Sequence, residues 1–400
     1  MFKKITSFIL CILTLYAVAD TTVATVPAEL MAKAKVKASS GAEKRLVQLA
    51  QEKSIFVKEP FLSVVNNKVL VAASGDPHDY ISVGPYFWPD PSKPDGKPWI
   101  EKDGQFNPTR TRYDNGKMSK MAYRTEICAL LWHFKRDKEA AEYAVKQLEY
   151  FFVAPETRMN PHLKYGQSVP GKVDGRPAGM IDALELLKVI DAVSMLSDYP
   201  GYTKELHSGL QKWFKQYATW MRTDNMAKKD WPVRQNHGLS YHTQIAAYMA
   251  FAGDMGAARG HLNILKKRIV ESIREDGIQP AEVRRTNGWS YSNYALMIIM
   301  QGVGVGKNIG FDLLNAEELS GIRVRAAVDY LIPFIKNPEK WPYKEIIGFS
   351  ANRLSQILAQ MYYHTGEKRY LDAYNSISGR RIRENRVTCF FVPPEDVVAK

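Results

Sequence analysis

Cysteine is scarce in this chain, with three residues in 400. One of them, Cys11, falls in the apolar N-terminal stretch, which rules out a disulfide-stapled scaffold and leaves at most one bridge, Cys128 to Cys389. Cys128 sits in the apolar run Ile127-Cys128-Ala129-Leu130-Leu131 and is expected as a buried free thiol. No Cys/His spacing suits a structural zinc site. Beyond the N-terminus there is no apolar run long enough for a membrane helix. Alternating β patterns are nearly missing, and so is the fixed-period self-similarity of repeat proteins. H-E-x-x-H, G-x-S-x-G, G-x-x-x-x-G-K-[ST] and the Gly-rich dinucleotide loop are all missing, which speaks against zinc proteases, serine hydrolases, P-loop enzymes and nucleotide-linked dehydrogenases.

Acidic residues are also short, 42 against 55 Lys and Arg, for a formal charge of +13 at pH 7. Such a balance favours an anionic partner. Residues 1–19 have the form of a signal peptide: Lys3 and Lys4, an apolar stretch from Ile5 to Tyr16, then Ala17-Val18-Ala19. Ile9-Leu10 ahead of Cys11 lacks the small residue of a lipoprotein signal, so no membrane anchor is expected after cleavage. The protein is expected in the periplasm or outside the cell, with residues 20–400 as one domain. Export and the lack of a nucleic-acid motif favour an acidic polysaccharide over nucleic acid as the anion.

The remainder reads as helix. Leu206, Leu210, Trp213, Phe214, Tyr217 and Met221 share one helical face, as do Leu186, Ile190, Val193 and Leu196. Further helices are expected at about 118–135, 138–152, 239–253, 256–275, 288–303, 318–335, 351–364 and 367–376, separated by short turns. Such a series of helical hairpins closes into an α/α toroid or packs as a bundle or solenoid. The stretch from Gly75 to Gly116 is rich in Pro, Gly, Asp and aromatics and is expected as a long ordered loop. Its Tyr80, Tyr86, Phe87, Trp88 and Trp99 either stack on sugar rings or pin the loop to the core. A second loop, Arg158 to Asp182, carries Asn160, His162, Tyr165, Gln167 and Arg176. The tail after Gly379 is basic, then apolar, and is expected to pack back as an irregular or extended segment.

Asn236-His237, then Arg284-Arg285, then Tyr291 stand out because they are the side chains needed to remove a proton beside a sugar carboxylate. Asn and Arg donate hydrogen bonds as negative charge builds on that carboxylate. Tyr or His takes the C5 proton, and Tyr protonates the leaving O4. A tyrosine of pKa ~10 needs nearby cations to act as a base. This scheme requires no metal or other cofactor. Each piece also has a plain structural reading: an Asn-His pair capping a helix, a solvated Arg pair, a core-facing Tyr291 in line with Tyr294, Ala295 and Ile298. A glycoside hydrolase would need two opposed carboxylates, for which Asp90, Asp114, Asp182 and Glu282 are candidates.

The segments Gln235-Asn236-His237-Gly238-Leu239-Ser240-Tyr241 and Pro280, Glu282, Arg285, Tyr291, Tyr294, Ala295, Leu296 resemble the two active-site motifs of the helical-toroid alginate lyases, N-N-H-[SR]-Y-W and P-L-E-x-E-R-G followed by Y-H-L-Y-A-L. The loops GPYFWPDPSKPDG and MNPHLKYGQSVPG are similar to those of polysaccharide lyase family 38, with a more distant likeness to the mannuronate-specific lyases of family 5. The resemblance covers about Asp79 to Thr365. It implies an all-α, incomplete (α/α) toroid of six to seven hairpins with long aromatic loops over a cleft. It further implies β-elimination of a polyuronate, most of all mannuronate-rich alginate, to 4,5-unsaturated ends. Asn236 and Arg285 would neutralise the carboxylate. Tyr291 would be the acid and, for mannuronate, also the base. His237 would polarise the site or serve as base for the opposite C5 configuration. Tyr86, Trp88, Gln167, Arg176, Tyr241, His242 and Arg284 would contact neighbouring sugars. A glucuronan lyase, a glycoside hydrolase and a non-catalytic glycan-binding protein on the same fold stand as alternatives.

Overall fold

A computed structural model describes residues 24–36, 39–377 and 384–391. The expected leader and the tail residues Arg380, Arg381 and Arg383 lie outside the described residues. The main helices are α1 (Ala28–Val36), α2 (Ser40–Phe56), α3 (Asp114–Lys135), α4 (Lys138–Phe152), α5 (Leu187–Leu196), α6 (Lys204–Thr223), α7 (Asn236–Phe251), α8 (Met255–Ser272), the single turn α9 (Pro280–Val283), α10 (Gly288–Asn308), α11 (Leu319–Leu331), α12 (Asn352–Thr365) and α13 (Lys368–Ser376).

Short connections make consecutive helices pack as hairpins. Between α3 and α4 lie two residues, Arg136 in the left-handed region (φ 55°) and Asp137, whose carboxylate caps α4 at the Ala140 amide. Helices α3, α5, α7, α10 and α12 lie side by side in chain order and form an inner ring. Their partners α4, α6, α8, α11 and α13 pack outside, and α2 with the C-terminal segment joins α12 back to α3. The sequence pattern explains which helix goes where. The α6 face expected from Leu206, Leu210, Trp213, Phe214, Tyr217 and Met221 is buried while its other face is exposed, as an outer helix requires. Inner α7 is buried almost all round, which its Gly, Ala, Ile and Tyr-rich sequence permits.

Several boundaries differ from expectation for local reasons. Pro333 lacks the amide that an α-helix would use, so the chain after α11 tightens to a 3-10 turn at Ile332–Ile335. Helix α8 stops at Ser272, where the Arg274 amide turns to the Ile278 carbonyl. Among the described residues of the C-terminal segment, Val387–Phe391 form a helical turn with Val387, Cys389, Phe390 and Phe391 buried, where an irregular or extended segment was expected. Arg386 ahead of it is buried too, with its Nε 2.7 Å from Glu126 and an ion pair to Asp191. The cysteines Cys128 and Cys389 are free and buried, and burial pushes both thiols up, Cys389 to about 12.

The two loops meet over one end of the ring. β1 (Ile81–Val83) pairs in parallel with β4 (Tyr165–Ser168), and β2 (Phe87–Trp88) pairs antiparallel with β3 (Ile100–Glu101). Tyr80 is fully buried and its hydroxyl donates to Asp182 at 2.8 Å, so this aromatic pins the loop. Gly104 has φ +75°, and a Cβ there would lie 2.2 Å from Thr286 Oγ1, so only glycine lets the first loop close onto the start of α10. Among the described residues no helix is long and apolar enough to cross a membrane.

Candidate active site

Between the loops and the end of the inner ring lies a cavity of about 780 Å³. Helices α7 and α10 both begin at it, so two helix N-termini give this region a positive potential. Helix α7 starts at Asn236 itself, with Gln235 as an N-cap that makes no side-chain bond. Asn236 and His237 are therefore first-turn residues and not caps. Gly238 makes this entry possible, since a Cβ there would lie 1.9 Å from the Val233 carbonyl oxygen.

Asn236, His237, Arg285, Tyr291, Tyr86, Gln167 and Arg176 all line this cavity. Asn236 is held by Glu282 of α9, whose carboxylate accepts from its backbone N–H at 2.7 Å and its Nδ2 at 2.8 Å. Burial pushes the Glu282 carboxyl up, against the pull of these two donors. Arg285 Nη2 donates to the Tyr291 hydroxyl at 2.9 Å and to Asp103 at 2.6 Å, and its guanidinium lies over the Tyr291 ring, 4.1 Å from its centroid. The Tyr86 hydroxyl is 2.5 Å from that of Tyr291. Burial pushes the Tyr291 phenol well above its ordinary value, Tyr86 adds to this, and Arg285 pulls it back in part. Burial thus favours the protonated phenol, and Arg285 is the group that favours its ionised form.

On the opposite wall Asp182 accepts from Tyr80, Ser82, Arg110 and Gln167. Gln167, in the left-handed region (φ 50°), holds Arg176 through its backbone and side-chain oxygens, at 2.9 and 3.2 Å. Arg176 also stands 4.6 Å over the Phe87 ring, and burial lowers its pKa. The second loop thereby presents a guanidinium to the cavity, oriented by neutral groups.

Four of the expected contact residues do not reach the cavity. Tyr241 lies one helical turn below His237, about 6 Å deeper along α7, and its hydroxyl donates to the Met221 carbonyl at 2.5 Å. His242 is turned further round the helix and is fully buried against His261. Arg284 is exposed, and of the arginine pair it is Arg285 that lines the cavity. Trp88 ties its indole N–H to the Gln105 carbonyl at 3.0 Å and stacks under Lys102. Conversely, Asp103, Phe106, Arg110, Glu185, Tyr294 and Arg353 line the cavity without having been expected there. Arg353 donates to the Ser290 carbonyl and lies over Tyr294. An aromatic-rich loop was a signal for Phe106. Tyr294 belongs to the second motif but read as a core-facing residue, Asp103 and Arg110 lie in the same loop as Phe106 without a motif of their own, and nothing local marked Glu185 or Arg353, which reach the cavity through tertiary folding.

The buried pair His242–His261 gives a pH prediction. His242 Nε2 lies 3.0 Å from the Trp231 carbonyl and must carry the proton, so its Nδ1 accepts from His261 Nδ1 at 3.1 Å. Burial lowers His242 to about 4 and His261 to about 3. Both folded-state values lie below the unfolded one, so the unfolded chain binds more protons in acid. Their contribution is complete above about pH 6.5 and is lost on the way down to the folded values, on the order of 2 kcal/mol per histidine by pH 5. His261→Asn keeps a donor near the Nδ1 position while removing one titrating group. Its loss of stability between pH 7 and pH 5, followed by urea unfolding, is expected to be smaller than that of the natural protein.

Among the described residues no His, Cys, Asp and Glu cluster has metal-binding geometry. Comparison with curated proteins returns no match. Among solved structures the chain is similar to an alginate lyase from Bacteroides ovatus, at 32% identity and a TM-score of 0.85, covering 92% of this chain and 99% of that one. It is also similar in fold to alginate lyase A1-III from Sphingomonas species A1, at 14% identity and a TM-score of 0.55, over 94% of this chain and 97% of that one. A variant of alginate lyase A1-III complexed with a tetrasaccharide aligns with a TM-score of 0.56 at 14% identity, over 95% of this chain and 98% of that one. Residues 63–341 match the family described as alginate lyase. The α/α-toroid architecture, the 32% identity across nearly the whole of both chains and this match establish that the chain belongs to the alginate lyase family, a family of polysaccharide lyases.

Proposed function

We propose that the protein cleaves alginate, with mannuronate-rich stretches as the favoured substrate, by β-elimination at this cavity, and that it does so in the periplasm or outside the cell after removal of its leader. The observation that carries this reading is the Arg285–Tyr291 pair, a guanidinium hydrogen-bonded to a phenol beside Asn236 and His237. Asn236 uses one amide hydrogen on Glu282, and the other is available to a sugar carboxylate. Together with Arg285 it stabilises the charge that builds when C5 loses its proton. The C5–H electron pair becomes the C4=C5 double bond, the C4–O4 bond breaks, and the Tyr291 hydroxyl protonates O4. Tyr291 carries the proton this role needs, and the Arg285 cation beside it opposes the rise that burial causes, which eases transfer to O4. In mannuronate the C5 hydrogen and O4 share one face of the ring, so the same tyrosine, ionised with the help of Arg285, can serve as base. For a linkage of the opposite C5 configuration His237 is the base.

The carboxylates argue against hydrolysis. Asp182 is saturated, Glu282 is committed to Asn236, Asp114 pairs with Lys68 and Lys117, and Asp90 is used in its own turn with Ser92. Incubating the mature protein with polymannuronate, polyguluronate and glucuronan, a chelator present, is expected to raise the ultraviolet absorbance of unsaturated uronate most strongly on polymannuronate. New reducing ends without that absorbance would mean hydrolysis, and the largest rise on glucuronan would replace alginate as substrate.

A further inference from the structure

We propose that Asp230 is a positioning residue that fixes the tautomer of His237, keeping the proton on Nδ1 and leaving Nε2 free as the base for the linkages Tyr291 does not serve. The proposal rests on the elimination reading above and adds to it the group that arms the second base.

Asp230 ends the 3-10 turn Ala227–Asp230, and its side chain is 8% exposed. Its Oδ2 lies 3.6 Å from His237 Nδ1. Both atoms are shut off from solvent, and neither has a hydrogen-bonding partner among the described residues. A buried carboxylate oxygen and a buried ring nitrogen left unpaired would each be costly, and facing each other they relieve both costs if Nδ1 carries the proton. At 3.6 Å the two atoms are at ion-pair distance, and a shift of well under 1 Å brings them to hydrogen-bond distance.

The backbone holds this geometry. The Val233 amide donates to the Asp230 carbonyl, and Gly238, directly after His237, lets the first turn of α7 pass against the Val233 and Asp230 carbonyls. The other nearby groups are already committed. Glu282 holds Asn236, and the Tyr241 hydroxyl belongs to the Met221 carbonyl. Nδ1 is shut off from solvent, about a fifth of the His237 side chain is exposed and the residue lines the cavity, which leaves the Nε2 edge as the one to meet substrate. In the base step Nε2 takes the C5 proton as the C4–O4 bond breaks and Tyr291 protonates O4. Solvent then removes the proton from the imidazolium and reprotonates the phenolate.

The test is a long-range 15N–1H NMR spectrum of the whole mature protein, with the His237 signals assigned by their loss in His237→Gln. The expected pattern for neutral His237 is Nδ1-protonated. In Asp230→Asn the amide can donate to Nδ1, so the proton should move to Nε2. Turnover of polyguluronate should then fall roughly 100-fold with KM within about 3-fold, as expected for a base held in the wrong tautomer. Asp230→Glu should restore part of the rate. An Nε2-protonated His237 in the natural protein overturns the proposal, and does so even if Asp230→Asn does not fold. A folded Asp230→Asn with unchanged turnover of polyguluronate overturns it as well. If the natural protein forms no unsaturated product from any polyuronate, the elimination reading falls and the base role with it, while the spectrum still reports whether Asp230 and His237 pair.

Discussion

Tyr291→Phe is expected to lower kcat on polymannuronate by roughly 10³-fold, about 4 kcal/mol of transition-state stabilisation, with KM changed only a few-fold. The phenol is the only group of the pair that can give a proton to O4, since the guanidinium of Arg285 beside it remains a cation. The substitution deletes hydroxyl contacts to Arg285 and Tyr86 but no packed volume, so the loss of stability is about 1 kcal/mol and the fold survives. Steady-state kinetics on polymannuronate, paired with a melting curve, check both halves. A variant that still releases unsaturated ends at the natural rate would remove Tyr291 from the mechanism. A hydrolase on this fold would also tolerate the change, but its products would lack the double bond.

Asp182→Ala is expected to have the largest effect on stability, a loss of about 3–5 kcal/mol. The Asp182 side chain is 3% exposed and accepts from Tyr80, Ser82, Arg110 and Gln167. Arg110, itself only 14% exposed, would be left as a buried charge without its counterion. Domains are stable by about 5–15 kcal/mol, so this is a large share of the total. Activity should fall with it, because Gln167 orients Arg176 and the same carboxylate steadies Gln167. Urea unfolding measures the first effect. The alternative in which Asp182 is a hydrolytic acid also predicts lost activity, but with the unfolding midpoint unmoved.

The helices were legible because their signals are local and long. Leu206 to Met221 and Leu186 to Leu196 mark buried faces by spacing alone, and every residue named on them is buried. The loops were legible as loops from their Pro and Gly content, although the end of the first, Asp114 to Gly116, is already the first turn of α3. The sequence also placed Asn236, His237, Arg285 and Tyr291 as one group, and they share a cavity because two neighbouring inner helices begin there. It misplaced Tyr241 and His242, because a motif read along one helix says nothing about depth, and one turn of helix separates a cavity wall from the core.

The sequence by itself determined the helical periodicity, the order of the hairpins and the residue types able to neutralise a carboxylate and move a proton, since these depend on neighbours within a few positions. Only the tertiary structure decided which arginine of the pair faces the cavity, that Glu282 serves Asn236 instead of a hydrolytic reaction, that Asp103 and Tyr86 reach Arg285 and Tyr291 from a loop about 180 to 205 residues away in sequence, and that Asp230 faces His237. The reason is physical. A carboxylate's role is set by which donors and charges lie within a few ångströms of it, and those neighbours are brought together by packing across the ring, which no local pattern encodes.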